Sequence, residues 1–147
     1  MITNTVTILL VEDNESHAML EIRGLSKFSV KHKIIHLEDG EAALQYLFRR
    51  GPYTDFRTSP RPQLILLDLR LPKIDGLEVL KNIKEDEDLR TIPTVILTSS
   101  MAEPDIVRAY LFYANSYLVK PLDFNEFRDQ MVEIADYWLK WNISPLI

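Results

Sequence analysis

The sequence of 147 residues contains no cysteine, and this absence removes several chemistries at once. Disulfide frameworks, thiolate nucleophiles and cysteine-ligated zinc are all excluded. No apolar run approaches the roughly 18 residues of a membrane-spanning helix, and the N-terminus lacks the basic region of a secretory signal. We therefore expect a cytoplasmic protein that does not enter a membrane.

An excess of basic residues is also missing. The sequence has 17 Lys and Arg and 22 Asp and Glu, which gives a net charge of −5. Such a chain has no long-range attraction for nucleic acid or for an anionic membrane. Its 46% apolar content suffices for one core. With no internal repeat and no segment long enough for an output module, we expect a single domain of residues 1–147.

Five short apolar runs alternate with five amphipathic segments along the chain. The runs predict strands over 6–11, 33–37, 64–67, 94–97 and 117–119. The segments predict helices over 15–26, 40–49, 76–85, 103–113 and 125–140, with Asp39, Asp75 and Asp123 as N-caps. Apolar strands separated by helices form a parallel sheet covered on both faces. The sequence thus predicts a doubly wound α/β fold.

Two segments exceed what this fold needs. The polar loop over 50–62, RGPYTDFRTSPRP, is longer than the roughly 2 to 6 residues of an ordinary connection, which indicates an insertion. The extended last helix and tail over 123–147 carry an apolar stripe wider than one sheet face requires, and the tail adds Ile143, Pro145, Leu146 and Ile147. Core packing accounts for part of this surface, and a dimer contact would account for the rest.

Acidic residues follow two of the predicted strands. Glu12 and Asp13 end the first strand and Asp68 ends the third, at the sheet edge where doubly wound folds bind ligands. Two like charges 4 Å apart repel by about 4 kcal/mol at an effective dielectric of about 20, so this group needs a cation or raised pKa values. Oxygen ligands alone favour Mg²⁺, with Mn²⁺ as a substitute.

A hydroxyl and a cation complete this edge. Thr98, followed by Ser99, ends the fourth strand, and Lys120 ends the fifth. Carboxylate, hydroxyl, ammonium and metal are the groups that phosphoryl transfer requires. We interpret Asp68 as the nucleophile and Thr98 and Lys120 as ligands of the phosphoryl oxygens, with an acyl phosphate as the product.

Four motifs together resemble the chemotaxis-type response regulator receiver family: LLVEDN, LILLDLRLPKIDG, VILTSS and YLVKPL. Thr98 lies 30 residues after Asp68 and Lys120 lies 22 after Thr98, as the pattern of that family requires. The resemblance implies a flavodoxin-like (βα)5 sandwich with strand order 2-1-3-4-5. It also implies a signalling protein that accepts a phosphoryl group from a histidine kinase on Asp68, and catalyses only its own phosphorylation and dephosphorylation.

The same resemblance implies roles for individual residues. Glu12, Asp13 and Asp68 would hold the metal together with the backbone carbonyl of Arg70, and Lys120 would contact the phosphoryl group.

A switch is implied as well, with Thr98 as its hydroxyl and Tyr117 as its aromatic. The bond between Lys120 and Pro121 would be cis.

The long loop and the YWLKW ending resemble the small receivers that serve phytochrome-type histidine kinases, a subgroup that often self-associates. This similarity implies a stand-alone regulator that signals by partner binding or by a homodimer. The dimer surface would comprise the fourth helix, the fifth strand, and the fifth helix or C-terminal tail.

Other functions fit the residues less well. A haloacid-dehalogenase-type phosphatase needs an acid-base Asp two residues after its nucleophile, where this chain has Arg70. A flavodoxin-like cofactor binder needs a phosphate-cradling loop after the first strand, where Glu12 and Asp13 would repel phosphate. A pseudo-receiver that binds partners without phosphorylation stays open. His17, His32 and His36 have no metal-ligand spacing, and the sequence assigns them no chemistry.

Overall fold

A computed structural model describes residues 5–145, in which strands and helices alternate in the predicted order. The strands are β1 (Val6–Val11), β2 (His32–Leu37), β3 (Leu64–Leu67), β4 (Thr94–Thr98) and β5 (Ser116–Val119). The helices are α1 (Glu15–Leu25), α2 (Gly40–Leu47), α3 (Gly76–Glu85), α4 (Glu103–Leu111) and α5 (Phe124–Asp136). Predicted and observed ends agree closely, except that α5 ends earlier than the apolar stripe indicates.

The five strands form one parallel sheet in the order β2-β1-β3-β4-β5, which confirms the predicted doubly wound topology. Val11 at the end of β1 pairs with Leu67 at the end of β3, and Thr98 at the end of β4 pairs with Val119 of β5. The residues that follow these four strands therefore meet at one edge of the sheet.

Alternate strand residues point into two separate cores, because side chains of a strand alternate between the faces of a sheet. One core lies under α2, α3 and α4 and includes Leu9, Val11, Ile65, Leu67 and Ile96. The other lies under α1 and α5 and includes Ile8, Leu10, Leu64, Leu66, Val95 and Leu97. The strands are apolar on both faces because helices cover both sides of the sheet.

Side-chain caps fix the starts of the helices. Asp39, Asp75 and Asp123 accept hydrogen bonds from the backbone N–H groups of the first turns of α2, α3 and α5, as predicted. Asn14 caps α1 in the same way and accepts from His17 N at 3.0 Å. Helix α1 therefore begins directly after the acidic pair at the end of β1.

The inserted loop, residues 50–62, is hydrogen-bonded to α2. Tyr46 donates its hydroxyl to the carbonyl of Pro60 at 2.7 Å, and Arg61 donates to the carbonyl of Leu47 at 2.6 Å. Burial raises the pKa of Tyr46 to about 12, so this phenol remains a donor at neutral pH. The loop thus packs against α2.

Beyond α5, the chain continues as a π-helical stretch, Tyr137–Trp141. Trp138 packs against the core of α1 and α5, whereas Trp141 and Ile143 are 71% and 86% exposed. Leu146 and Ile147, predicted to extend the apolar tail, lie outside the described residues. No helix within residues 5–145 is long and apolar enough to cross a membrane.

One expectation from the family resemblance is wrong. The bond between Lys120 and Pro121 is trans, like every other peptide bond within residues 5–145. The backbone N–H of Lys120 donates to the carbonyl of Thr98 at 2.8 Å, and its side chain reaches Glu12 and Asp68 at the acidic edge.

We predict that Gly24→Ala destabilises the chain, although alanine is the better helix former by about 1 kcal/mol. Gly24 lies where α1 crosses α5, and a Cβ there would lie 2.6 Å from the Cβ of Met131 and 2.9 Å from the carbonyl of Arg128. Overpacking of this kind costs about 1 to 3 kcal/mol, which outweighs the gain in propensity. Urea unfolding measures the difference, with Ser16→Ala on the exposed face of α1 as control. A more stable Gly24→Ala variant would contradict the crossing geometry.

Candidate functional site: an acidic cleft at the carboxyl edge of the sheet

Three carboxylates converge where β1 and β3 end. Glu12 and Asp13 follow Val11, Asp68 follows Leu67, and one oxygen of each carboxylate lies within 4.8 Å of the others. Glu12 and Asp68 are only 1% and 7% exposed, whereas Asp13 is open to solvent. The structure therefore brings the three predicted acids together, and two of them, Asp13 and Asp68, line the cleft beside them.

Lys120 bridges the two buried acids. Its ammonium donates to Glu12 Oε1 at 2.6 Å and to Asp68 Oδ2 at 2.8 Å. Burial alone lowers the pKa of Lys120, but attraction to Asp68 and the hydrogen bonds to Asp68 and Glu12 outweigh burial and raise it. Lys120 is therefore a charged ammonium at neutral pH, held over the nucleophile predicted from the sequence.

The other oxygen of Asp68 faces backbone donors. Asp68 Oδ1 accepts from Leu69 N at 2.7 Å and from Arg70 N at 3.4 Å. The start of α3 holds this turn in place, since Gly76 donates its N–H to the carbonyl of Leu69 at 2.8 Å. A Cβ on Gly76 would lie 2.1 Å from the carbonyl oxygen of Asp68, so only glycine permits this approach.

The cleft above these groups has a volume of about 230 Å³. Thr98 is buried at the end of β4 with its hydroxyl accepting from Ser100 N at 3.4 Å, and Ser99 is exposed beside it. The cleft is lined by Asp13, Asn14, His17, Asp68, Arg70, Thr98, Ser99, Ser100 and Lys120. Acidic, hydroxyl and cationic groups thus share one small open space, as predicted.

A polar chain of contacts leads from the cleft to α4 and β5. Arg70 forms an ion pair with Asp105 of α4 at 2.5 Å, and Ser100 Oγ donates to the same carboxylate at 2.6 Å. Tyr117 donates its hydroxyl to the carbonyl of Ser100 at 2.9 Å. The predicted switch aromatic is therefore tied to the loop that follows Thr98, and the Arg70 side chain has a partner that the sequence did not indicate.

Two further residues at the site were missed by sequence reasoning. His17 places its ring Nδ1 3.0 Å from the Lys120 ammonium. Glu21 is 1% exposed and contacts Glu12 from the inner face of α1. A signal for Glu21 existed, because it stands between Ala18 and Leu25 on the buried stripe of the helix. His17 lies one turn before Glu21 and so shares its face.

The two buried glutamates share one proton. Burial and the nearby Glu12 carboxylate raise the pKa of Glu21 to about 10, so Glu21 is protonated at neutral pH. Burial also raises the pKa of Glu12, while hydrogen bonds from Glu21 and Lys120 oppose that rise. Because Glu12 has the ammonium as its partner, we assign the negative charge to Glu12 and the proton to Glu21.

The donor set fits a hard divalent cation. Glu12, Asp13 and Asp68 offer only oxygens, and the cleft is open on the side of Asp13. Such a set suits Mg²⁺ or Mn²⁺, which accept few carboxylates and retain water ligands. Without a cation, only Lys120 within this cluster offsets the three acids.

Comparison with known proteins finds a signalling family that matches most of the chain. A family model described as the response regulator receiver domain matches residues 8–132. The probable methanogenesis regulatory protein FilR2 of Methanothrix harundinacea is 51% identical over 94% of this chain and 86% of that protein. The response regulator Rcp1 of Synechocystis is 42% identical over 94% of this chain and 92% of its own length.

Two solved structures of response regulators are also similar to this chain. The phosphorylated cyanobacterial phytochrome response regulator RcpA superposes with a TM-score of 0.92 at 37% identity, covering 97% of this chain and 99% of its own. The Mn²⁺-bound form of Rcp1 gives a TM-score of 0.89 at 41% identity, with 95% and 99% covered. A divalent metal is therefore bound in a protein of nearly the same fold.

We predict that Glu21→Gln becomes more stable than the wild type as the pH rises. The folded-state pKa of about 10 lies above the ordinary value of 4.5, so the stability due to protonated Glu21 is complete below about pH 4.5. It declines as the pH rises toward 10, because unfolding then releases a proton. Between about pH 5.5 and about 8.5 the variant should gain up to about 4 kcal/mol on the wild type, at about 1.4 kcal/mol per pH unit.

Urea unfolding in EDTA at both pH values measures this gain. The exposed Glu133→Gln on α5 is the control and should show no pH-dependent difference. If the free energy of unfolding of Glu21→Gln changes with pH as that of the wild type does, Glu21 is ionised in the folded chain.

Proposed function

Because this chain belongs to the response regulator receiver domain family, we propose that it accepts a phosphoryl group from a sensor histidine kinase on Asp68. The observation that carries the proposal is the Lys120 ammonium held at 2.8 Å from Asp68 Oδ2, in a cleft that also holds Glu12 and Asp13. Receiver domains are signalling modules, so no separate substrate is turned over. The proposal takes residues 1–147 as one such domain.

The cation of this site is proposed to be Mg²⁺, with Mn²⁺ as a substitute. Glu12, Asp13, Asp68 and the backbone carbonyl of Arg70 would hold it. When bound, the cation neutralises charge that develops on the phosphoryl oxygens. The Mn²⁺-bound form of Rcp1 supports a divalent metal, and the choice of Mg²⁺ rests on the small, partly open carboxylate set.

The residues of the chain perform the transfer itself. A carboxylate oxygen of Asp68 attacks phosphorus in line while the bond to the kinase histidine nitrogen breaks, and that nitrogen keeps the electron pair. The Lys120 ammonium and the Thr98 hydroxyl donate to the phosphoryl oxygens. The turn at Leu69 and Arg70 keeps the carboxylate in a fixed orientation throughout. The product is an aspartyl phosphate.

Phosphorylation would then move the switch. It adds about 1.5 to 2 negative charges to the cleft, which draws the Thr98 hydroxyl toward the phosphoryl group. Thr98 Oγ1 now accepts from Ser100 N, and the carbonyl of Ser100 accepts from Tyr117. Movement of Thr98 therefore disturbs the backbone that accepts the hydrogen bond of the Tyr117 hydroxyl, and the change reaches α4 through the contact of Ser100 with Asp105.

The first donors to test are phytochrome-type kinases, because RcpA is named as a phytochrome response regulator and its structure covers nearly the whole chain. FilR2 is named as a methanogenesis regulatory protein, so the second donor to test is a histidine kinase that regulates methanogenesis. Since histidine kinases take their phosphoryl group from ATP, the proposal places the reaction in the cytoplasm.

The proposed output surface comprises α4, β5, and α5 with its π-helical extension. Large apolar side chains are exposed on α4, directly after α4 and beyond the end of α5: Val107, Tyr110, Leu111, Tyr113, Tyr137 and Trp141. Aromatic side chains such as these are enriched in interfaces. We propose that a second copy of the chain, or a downstream partner, covers it once Asp68 is phosphorylated.

We predict that acetyl phosphate adds one phosphoryl group to the wild-type chain in the presence of Mg²⁺ and none to Asp68→Asn. Intact mass spectrometry measures the product. Asp123→Asn is the matched control, because asparagine caps α5 as well as aspartate does and the variant should be phosphorylated normally. If the wild type gains no mass in any condition, the chain is instead a pseudo-receiver that binds partners without phosphorylation.

We predict that Tyr110→Arg weakens self-association of the phosphorylated chain by about tenfold or more, because a charge in the centre of an apolar interface must be desolvated. Sedimentation equilibrium measures the dissociation constant. Met19→Arg on α1 is the control, since Met19 and Tyr110 are both 52% exposed and only Tyr110 lies on the proposed surface. Equal effects of the two substitutions would move the interface away from α4.

A further inference from the structure

His17 makes the third contact of the Lys120 ammonium. An ammonium has three N–H donors, and those of Lys120 point to Glu12 Oε1, Asp68 Oδ2 and His17 Nδ1 at 2.6, 2.8 and 3.0 Å. The side chain of Lys120 is 3% exposed, so water has little access to any of the three. The hydrogen bonds of the ammonium are thus satisfied entirely by protein groups.

This contact fixes the state of the imidazole. A charged ammonium can only donate, so Nδ1 of His17 must be the unprotonated, accepting nitrogen and Nε2 carries the proton. Burial, and then the positive charge of Lys120, lower the pKa of His17, which agrees with a neutral ring. The ring therefore orients Lys120 without adding a negative charge to the cleft.

The imidazole is itself held from two sides. The backbone N–H of His17 donates to the cap residue Asn14 at 3.0 Å, which sets the first turn of α1. Its ring lies edge-on against Phe127 of α5, with centroids 5.6 Å apart and planes at 62°. Nδ1 is therefore presented to Lys120 by the packing of α1 on α5.

We propose that His17 is a positioning residue for phosphoryl transfer to Asp68, in which Nδ1 holds one N–H of Lys120 and so directs another toward the reacting carboxylate. This inference rests on the proposed function. A third carboxylate around Lys120 would hold the ammonium as firmly, but it would also repel the incoming phosphoryl oxygens. A neutral acceptor orients the ammonium and leaves its charge available to the phosphoryl group.

The test compares two substitutions of His17. His17→Phe keeps the ring and its contact with Phe127 but removes the acceptor, whereas His17→Asn keeps an acceptor near the position of Nδ1. The rate of phosphorylation by acetyl phosphate in saturating Mg²⁺ should fall about tenfold or more in His17→Phe, as loss of one charge-assisted hydrogen bond implies. In His17→Asn it should return to within about twofold of the wild type.

A second readout follows Lys120 directly. In ¹⁵N NMR spectra of the unphosphorylated chain, the Lys120 ammonium protons should exchange slowly with water in the wild type and His17→Asn, and fast in His17→Phe. Lys120→Arg identifies the resonance by its disappearance. This readout does not depend on acetyl phosphate.

The outcomes separate the two proposals. If the wild type takes up no phosphoryl group, the proposed function fails and the positioning role fails with it. If the wild type is phosphorylated and His17→Phe reacts equally fast, only the positioning role is overturned. Equally slow reaction of both variants also overturns it, because an acceptor at this position would then not be enough to restore the rate.

Discussion

The buried ion cluster of Lys120, Glu12 and Asp68 is the interaction on which the rest of the structure depends. It joins the residues that follow β5, β1 and β3. Along the chain, Lys120 lies 108 positions from Glu12 and 52 positions from Asp68. Removing one member of such a cluster leaves an unpaired buried charge at a cost of about 3 to 5 kcal/mol. The ends of three strands are thereby fixed relative to one another, and the cleft keeps its shape before any ligand arrives.

Protonated Glu21 extends this cluster toward α1. Without its proton, two buried carboxylates would compete for one ammonium, and Asp68 would lose part of its partner. With the proton, Glu21 donates to Glu12, and α1 is joined to the acidic edge. The arrangement leaves the cluster with two negative charges and one positive charge on its buried side, while Asp13 remains at the solvent side for a cation.

The fold could be predicted from the sequence because its signals are local. Strand runs, helix periodicity and the caps Asp39, Asp75 and Asp123 are each contained within a few residues. The acidic edge followed from topology, since parallel strands end together. The pairings of Arg70 with Asp105 and of His17 with Lys120 did not follow, because residues 35 and 103 positions apart meet only after the helices pack. Glu21 was missed as well, although a carboxylate on the buried stripe of α1 is a local signal that indicates a partner.

The energetic cost of the cleft bears on the choice between a working receiver and a pseudo-receiver. A chain that needed only the fold and a docking surface would gain stability by replacing the buried ions with apolar groups, as buried ion pairs are often neutral or costly relative to such replacements. Here Lys120, Glu12, Asp68 and the protonated Glu21 are all buried beside an open space of about 230 Å³. A polar cluster of this kind is better suited to binding a cation, and an anion together with that cation, than to packing. Polar contacts also connect Arg70 to Asp105 and Tyr117 to Ser100, and such contacts respond to a new charge in a way that apolar packing does not.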